Sequence, residues 1–116
     1  MILTSYYANP KLRTFKGTRI QISTSKPSWH KVDTSIEALH PGWELVKGHK
    51  EGTLTDEEYT EKYIKHLDSL NWDGILKYLQ SNDCVLLCWC RKDVFCHRHI
   101  LRHYLRDKFQ LEIKEL

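Results

Sequence analysis

The residues with the greatest chemical potential are concentrated in one stretch of the chain. All four cysteines of this 116-residue protein lie in the segment CVLLCWCRKDVFC, residues 84–96, and His97 and Arg98 follow directly. Thiols grouped in this way act as metal ligands, as reactive nucleophiles or as small apolar core residues. The surrounding sequence has to decide among these three roles.

Cys96 is the strongest candidate for chemistry. Asp93 is predicted to be the N-cap of the last helix, which places Cys96 in its first turn. Free backbone N–H groups and the helix dipole stabilise a thiolate there, and they equally suit a phosphate or carboxylate. We therefore predict Cys96 as a nucleophile, His97 as its general base or acid, and Arg98 as a forked anion-binding donor. The alternative is that Cys96 turns inward and packs in the core.

The same segment also offers a set of zinc ligands. A zinc site would use Cys88, Cys90, Cys96 and either His97 or His99. Structural zinc sites more often pair cysteines two to four residues apart, with a second pair far along the chain. The spacing therefore predicts no metal cofactor, with zinc kept as the alternative.

The elements that position this segment are typical of an α/β fold. Strands are predicted over residues 2–7, 18–24, 84–88 and 110–116, and helices over residues 40–52, 55–70, 72–83 and 96–108. A strand joined through a helix to another strand is the parallel crossover unit. We expect a single α/β domain over residues 1–116, with a mainly parallel sheet of about four strands flanked by helices.

Two segments support this assignment most strongly. Thr55 followed by Glu58 forms a capping box, and an apolar stripe at helical spacing follows, made of Tyr59, Tyr63, Leu67 and Leu70. The continuous apolar run CVLLC has the length and composition of a central strand buried on both faces. In such a strand Cys84 is predicted to be a small core residue.

Ligands of parallel sheets bind beyond the carboxyl ends of the strands. Because these ends lie at one edge of a parallel sheet, the loops that follow the first three predicted strands are expected to converge on one rim. These loops carry hydroxyls, an amide, a lysine and an indole. Trp29 and Trp89 are placed at this rim, whereas Trp43 and Trp72 are predicted to lie in the core. The predicted ligand-binding residues are Ser5, Tyr6, Tyr7, Asn9, Ser23, Ser25, Lys26, Cys88, Trp89 and Arg98.

Several of these segments resemble a known family. The sequences SYYANPKL, SKPSW, PGWELVKGHKEGTLTDEEYTEKYIKHLD and LLC followed by FCHRH are similar to the domain of unknown function 488 family, over nearly the whole chain. The resemblance implies a small α/β domain whose functional edge is the Cys96-His97-Arg98 segment, and it implies no particular reaction. In that family a glutamate commonly stands two residues after the first cysteine, where this chain has Cys90.

These observations lead to a ranked set of functions. We expect a site for a small anionic ligand, phosphate- or nucleotide-like, with cysteine-dependent chemistry as its catalytic form. A nucleic-acid-binding module is the first alternative, with backbone contacts from basic residues and stacking by Tyr7, Trp29 or Trp89. The basic residues in question are Lys11, Arg13, Lys16, Arg19 and Lys26. A zinc-binding or protein-interaction domain without catalysis is the second alternative.

Composition sets the outer limits. The chain is 41% hydrophobic and 28% charged, values that are typical of a globular protein rather than a disordered one. No apolar stretch approaches the roughly 18 residues that span a bilayer, and the N-terminus has no secretory pattern. We therefore expect a cytoplasmic protein with reduced thiols and no membrane partner. The formal net charge of +3 does not by itself indicate nucleic acid.

Overall fold

The computed structural model describes residues 1–91 and 94–116, and within these ranges five parallel strands form one sheet. The strands are β1 (Ile2–Tyr6), β2 (Thr18–Gln21), β3 (Thr34–Ser35), β4 (Cys84–Cys88) and β5 (Ile113–Glu115), in the spatial order β3-β2-β4-β1-β5. In the same ranges the α-helices are α1 (Trp43–Lys50), α2 (Asp56–Asp68), α3 (Trp72–Ser81) and α4 (His97–Phe109). Short 3-10 helices span Pro10–Thr14 and Glu37–Leu39. The predicted α/β fold with a parallel sheet is confirmed.

Strand β4 is the centre of the sheet, as its unbroken apolar sequence predicts. It pairs with β1 on one side and with β2 on the other, and all five of its residues are buried. Because side chains alternate along a strand, Cys84, Leu86 and Cys88 face one core cluster while Val85 and Leu87 face another. This alternation fixes the face on which Cys88 lies.

The α-helices pack on one face of the sheet. Buried apolar residues of α2, α3 and α4 belong to the cluster that includes Leu86, and Leu45 of α1 packs against that cluster. The opposite face is covered by Leu12 of the first 3-10 helix, with Phe15, Val32 and Leu116 around it. The expectation of flanking helices is therefore met on one face, and the other carries a thinner cover.

The capping box of α2 is present as predicted. The Thr55 hydroxyl accepts a hydrogen bond from the Glu58 backbone N–H, and the Glu58 carboxylate accepts one from the Thr55 backbone N–H. Tyr59, Tyr63 and Leu67 of the predicted stripe are buried, and Leu70 packs against them. No helix in the described part of the chain has the length and apolar character needed to cross a bilayer.

Candidate functional site

A cleft of about 290 Å³ opens beyond the carboxyl ends of β2 and β4. Its sheet side is formed by the loop after β2 and by the segment after β4, and its other side by α1 and the start of α2. The lining residues are Ser23, Thr24, Ser25, Pro41, Trp43, Val46, His49, Lys50, Tyr59, Cys88, Trp89, Cys90, Val94, Phe95, Cys96 and His97. The sequence predicted a site at this edge of the sheet.

The loops after β1, β2 and β4 converge as expected. The Tyr7 and Ser23 hydroxyls lie 2.7 Å apart, and the Trp89 indole N–H donates to the Ser25 hydroxyl over 3.1 Å. The Tyr7 ring also contacts Trp89 edge to face, with ring centroids 5.7 Å apart. Burial raises the pKa of Tyr7 to about 12, so its hydroxyl stays protonated and available for this bond.

The floor of the cleft is a group of three sulfur atoms, which we call the thiol cluster (Cys88, Cys90 and Cys96). The Cys88 and Cys96 Sγ atoms lie 2.6 Å apart, and both residues are buried. Cys90 is half-buried and lines the cleft beside the other two. The cluster therefore presents one accessible sulfur to the cleft with two buried sulfurs behind it.

The surroundings shift the pKa values of the three thiols in different directions. Hydrogen bonds from the Cys88 and Cys96 thiols lower the pKa of Cys90 well below its ordinary value. Burial raises the pKa of Cys88 to about 11, and hydrogen bonding to the other two thiols raises the pKa of Cys96. The reactive thiol predicted at Cys96 is therefore better assigned to Cys90, since Cys96 is only 4% exposed.

His97 is buried beside the cluster in one defined tautomer. Its Nε2 lies 2.7 Å from the Ile22 carbonyl oxygen, which can only accept, so Nε2 carries the proton. The unprotonated Nδ1 lies 3.7 Å from the Cys96 Sγ. Burial lowers the pKa of His97 to about 4, which makes it a poor general base at neutral pH. An uncharged imidazole with a free Nδ1 suits a hydrogen-bond acceptor or a metal ligand instead.

Arg98 does not face the cleft, contrary to its predicted role as the anion-binding fork. Its side chain is fully buried, and its guanidinium donates to the Glu115 carboxylate, with N···O distances of 2.9–3.2 Å. It also donates to the backbone carbonyls of Cys90 and Arg91 and to the Cys88 Sγ, the last over 3.0 Å. Arg98 thus holds the turn that carries Cys90, and it acts on the site as a positioning residue.

The start of α4 also differs from the prediction. Cys96 is the N-cap, with extended backbone at φ −158°, and His97 is the first helical residue. Cys96 therefore lies just before the first turn rather than inside it. Asp93, the predicted N-cap, lies outside the described residues. The Cys96 sulfur contacts Cys88, so its side chain is directed into the protein, as the packing alternative predicted.

Several predicted ligand-binding residues build the rim without lining the cleft. Asn9 caps the first 3-10 helix and donates to the Ser5 hydroxyl and to the Leu116 carbonyl. The Arg98 guanidinium lies over the Tyr6 ring, 5.8 Å from the ring centroid. Lys26 is exposed and donates to the His30 carbonyl over 3.1 Å, so its ammonium is turned away from the cleft. Of the predicted set, Ser23, Ser25, Cys88 and Trp89 line the cleft, together with Cys96 and His97.

Helix α1 contributes residues that the sequence did not single out. Trp43, predicted to be core, is 61% exposed and lines the cleft beside Lys50. The Thr24 hydroxyl oxygen is buried on the β2 side and has no hydrogen-bond partner within the described residues. Trp43 and Lys50 are seven residues apart, so they lie on the same face of α1. This spacing is the sequence signal that links them.

The basic residues of the nucleic-acid alternative do not gather at the cleft. Arg19 donates to the Leu12 carbonyl over 2.7 Å and contacts His30. Its guanidinium is therefore engaged within the protein and does not belong to an exposed basic surface. Lys11, Arg13 and Lys16 are exposed around the first 3-10 helix and are absent from the cleft lining in the described structure. Nucleic-acid binding therefore stays a prediction without a defined surface.

One group in the described residues has the donor atoms of a metal site. The ligand atoms of Cys88, Cys96 and His97 all lie within 4.8 Å of one another. Cys88 is the last residue of β4, and Cys90 follows two residues later in the turn. Both residues line the cleft.

Comparison with known families identifies this type of chain. A family model described as DUF488-N3a, the active DUF488-N3 subclade, matches residues 3–109. The chain has no match among curated proteins or among solved structures.

Proposed function

For this member of the DUF488 family, we propose that the cleft binds a small anionic ligand, phosphate- or nucleotide-like, and supports thiol chemistry at Cys90. The observation that carries this proposal is the composition of the cleft wall. Among its described lining residues are one lysine, three hydroxyl-bearing residues after β2, and no carboxylate. A negatively charged ligand finds complementary groups in the lysine and these hydroxyls.

The size and shape of the cleft favour a planar group attached to the anion. A volume of about 290 Å³ lies near the lower limit of small-molecule sites, which is roughly 300 Å³. Trp43 and Trp89 are 61% and 50% exposed, and both border the cleft. Exposed indoles are the side chains that stack most readily on bases and other flat rings. A nucleoside monophosphate combines such a ring with an anion.

Lys50 is the cation that binds the anion, in place of Arg98 and Lys26, which were predicted from the sequence. It lines the cleft at the last turn of α1, whereas Arg98 is neutralised by Glu115. The Thr24 hydroxyl supplies a donor that no described residue uses. The anion is thus held by the accessible Lys50 ammonium, and the Thr24 hydroxyl lies on the opposite side of the cleft.

Substituting Lys50→Gln is expected to weaken binding of adenosine 5′-monophosphate about tenfold, because a charge-assisted hydrogen bond is worth about 1.5–3 kcal/mol before exposure reduces it. Calorimetry and quenching of tryptophan fluorescence measure the affinity. Lys47→Gln is the matched control, since Lys47 lies on the same helix, is exposed and does not line the cleft. Equal effects of the two variants, or no binding of the nucleotide or of inorganic phosphate, would contradict the proposal. Steeply salt-dependent binding of a single-stranded oligonucleotide in their place would favour the nucleic-acid alternative.

Cys90 is expected to be the first thiol modified by iodoacetamide in the native, reduced and chelator-treated protein. Cys84, Cys88 and Cys96 are buried, so each reacts only after local opening. The Cys90→Ser variant should therefore label at least about tenfold more slowly, as expected if opening costs 1.4 kcal/mol or more. Peptide mass spectrometry after brief labelling identifies the modified residue, and Cys84→Ser is the control. First modification at Cys88 or Cys96 would show that the accessible thiol has been assigned wrongly.

A further inference from the structure

The donors beside the cleft have a feature that anion binding does not require. Cys88 is the last residue of β4, Cys96 is the N-cap of α4, and His97 is the first residue of that helix. The end of β4 and the start of α4 therefore bring three ligand atoms within 4.8 Å of one another. All three residues are buried. Two thiols and an imidazole in such an arrangement form the donor set of a thiophilic metal rather than of Mg²⁺ or Ca²⁺.

The orientation of His97 matches that of a metal ligand. A ligating histidine usually donates its second ring N–H to a backbone carbonyl, which fixes the tautomer and aims the other nitrogen. Here Nε2 donates to the Ile22 carbonyl over 2.7 Å, and Nδ1 is directed toward the Cys96 sulfur. The Tyr63 ring packs edge-on against the imidazole, with centroids 5.6 Å apart, which holds the ring plane.

Arg98 supplies a second supporting interaction. Its guanidinium donates to the Cys88 Sγ over 3.0 Å, and an N–H···S hydrogen bond stabilises a thiolate ligand. Glu115 balances the charge of Arg98, so the buried cation is present without a metal and needs no rearrangement when one binds. The surroundings of the cluster are therefore suited to a thiolate at Cys88.

Cys90 completes a four-donor set. It lies in the turn two residues beyond β4 and lines the cleft together with Cys88 and Cys96. Sulfur ligands about 2.3 Å from one zinc ion lie roughly 3.8 Å apart in a tetrahedron. The Cys88 and Cys96 sulfurs, now 2.6 Å apart, would separate by about 1 Å to admit the ion. Cys90 can follow this change without breaking the β4 hydrogen bonds.

We propose that Cys88, Cys90, Cys96 and His97 form a tetrahedral Zn²⁺ site in the floor of the cleft. Zn²⁺ accepts mixed thiolate and imidazole ligands and has no preference for another geometry. The site does not depend on ligand binding in the cleft, although the two share Cys90. A loaded zinc ion would remove that thiol from reaction with electrophiles.

Titration with Zn²⁺ and with Co²⁺ as a spectroscopic probe tests the proposal on the full chain, purified without an affinity tag, reduced and stripped of metal. We expect one ion per chain, intense tetrahedral Co²⁺ bands, and a sulfur-to-cobalt charge-transfer band that Zn²⁺ abolishes. Cys96→Ser should weaken Zn²⁺ binding at least about 100-fold, since even the loss of an outer partner costs 10–100-fold. Cys84→Ser, a buried cysteine outside the cluster, should bind as the parent chain does.

A variant at Cys90 keeps the proposal testable if Cys96→Ser does not fold. Cys90 is half-buried, so Cys90→Ser should fold, bind Co²⁺ and lose about a third of the charge-transfer intensity, one thiolate of three. Absence of tetrahedral bands, an undiminished charge-transfer band in Cys90→Ser, or equal losses in Cys84→Ser and Cys96→Ser would overturn the site. Lys50→Gln should leave Zn²⁺ affinity unchanged, so failure of the zinc site and failure of the anion site give different results.

Discussion

Replacing Glu115 with glutamine is expected to lower the free energy of unfolding by about 3–5 kcal/mol, the cost of leaving a buried charge without its partner. The Arg98 side chain is fully buried, and the Glu115 carboxylate pairs with it at 2.9 Å. Glutamine has nearly the same shape and can still accept one hydrogen bond, so the loss reports charge rather than volume. Urea unfolding followed by circular dichroism measures it.

The matched control for this substitution is Glu112→Gln. Glu112 pairs with Lys114 at 3.2 Å, but both side chains are more than 70% exposed, so the expected change is within about 0.5 kcal/mol. A second control is Arg98→Met combined with Glu115→Gln, which removes both charges and should recover part of the loss. If Glu115→Gln and Glu112→Gln had equal effects, Arg98 would not depend on Glu115 for its burial.

Two patterns in the sequence, one in α4 and one in β5, together indicate that Arg98 is buried. Leu101, Tyr104 and Leu105 form the buried stripe of α4, and one turn back this stripe reaches His97 and Arg98. In the last strand, Glu115 has the same parity as the buried Ile113 and so lies on the same face. A cation on the inner stripe of a helix and a carboxylate on an inner strand face each need a partner. The pairing itself is a tertiary contact between residues 17 positions apart, which no local signal identifies.

The sheet was more predictable than the site because its signals are local. Four strands were indicated by local sequence: β4 by its apolar run, β2 and β5 by alternation, and β1 by residue types that suit a pleated surface. Strand β3 was missed, because Thr34 and Ser35 have no apolar pattern and are strand only through pairing with Ile20 and Gln21. Strand β3 therefore depends on its pairing with β2 rather than on its own composition.

The convergence of loops on one rim followed from the parallel topology, but their side-chain directions did not. Ser23, Ser25 and Trp89 line the cleft, whereas Ser5 and Asn9 use their polar groups to close the end of β1. Both kinds of residue are polar and follow a strand, so sequence alone does not separate them. Position in the sheet separates them: β4 lies between β1 and β2, and the cleft lies on the β2 side beneath α1.

The two faces of β4 differ in how well a cavity could be filled, and this difference predicts unequal effects of two adjacent leucines. Leu86 lies in the cluster enclosed by α2, α3 and α4, and Leu87 lies in the smaller cluster on the opposite face. Both side chains have no exposed surface. The cost of Leu→Ala depends on the volume left empty after the surroundings relax, within a range of about 2–5 kcal/mol.

Leu86→Ala is therefore expected to cost about 4–5 kcal/mol and Leu87→Ala about 2–3 kcal/mol, the upper and lower parts of that range. Packed helices cannot move into the space left by Leu86, whereas the half-buried Phe15, Val32 and Leu116 can move toward the space left by Leu87. Urea unfolding with unchanged m-values measures both losses, and the exposed Tyr78→Ala is the control. Because the two leucines face separate clusters, the double variant should show nearly the sum of the single losses. A larger loss for Leu87→Ala would mean that the thinner cover, rather than the helical layer, is the rigid side of the sheet.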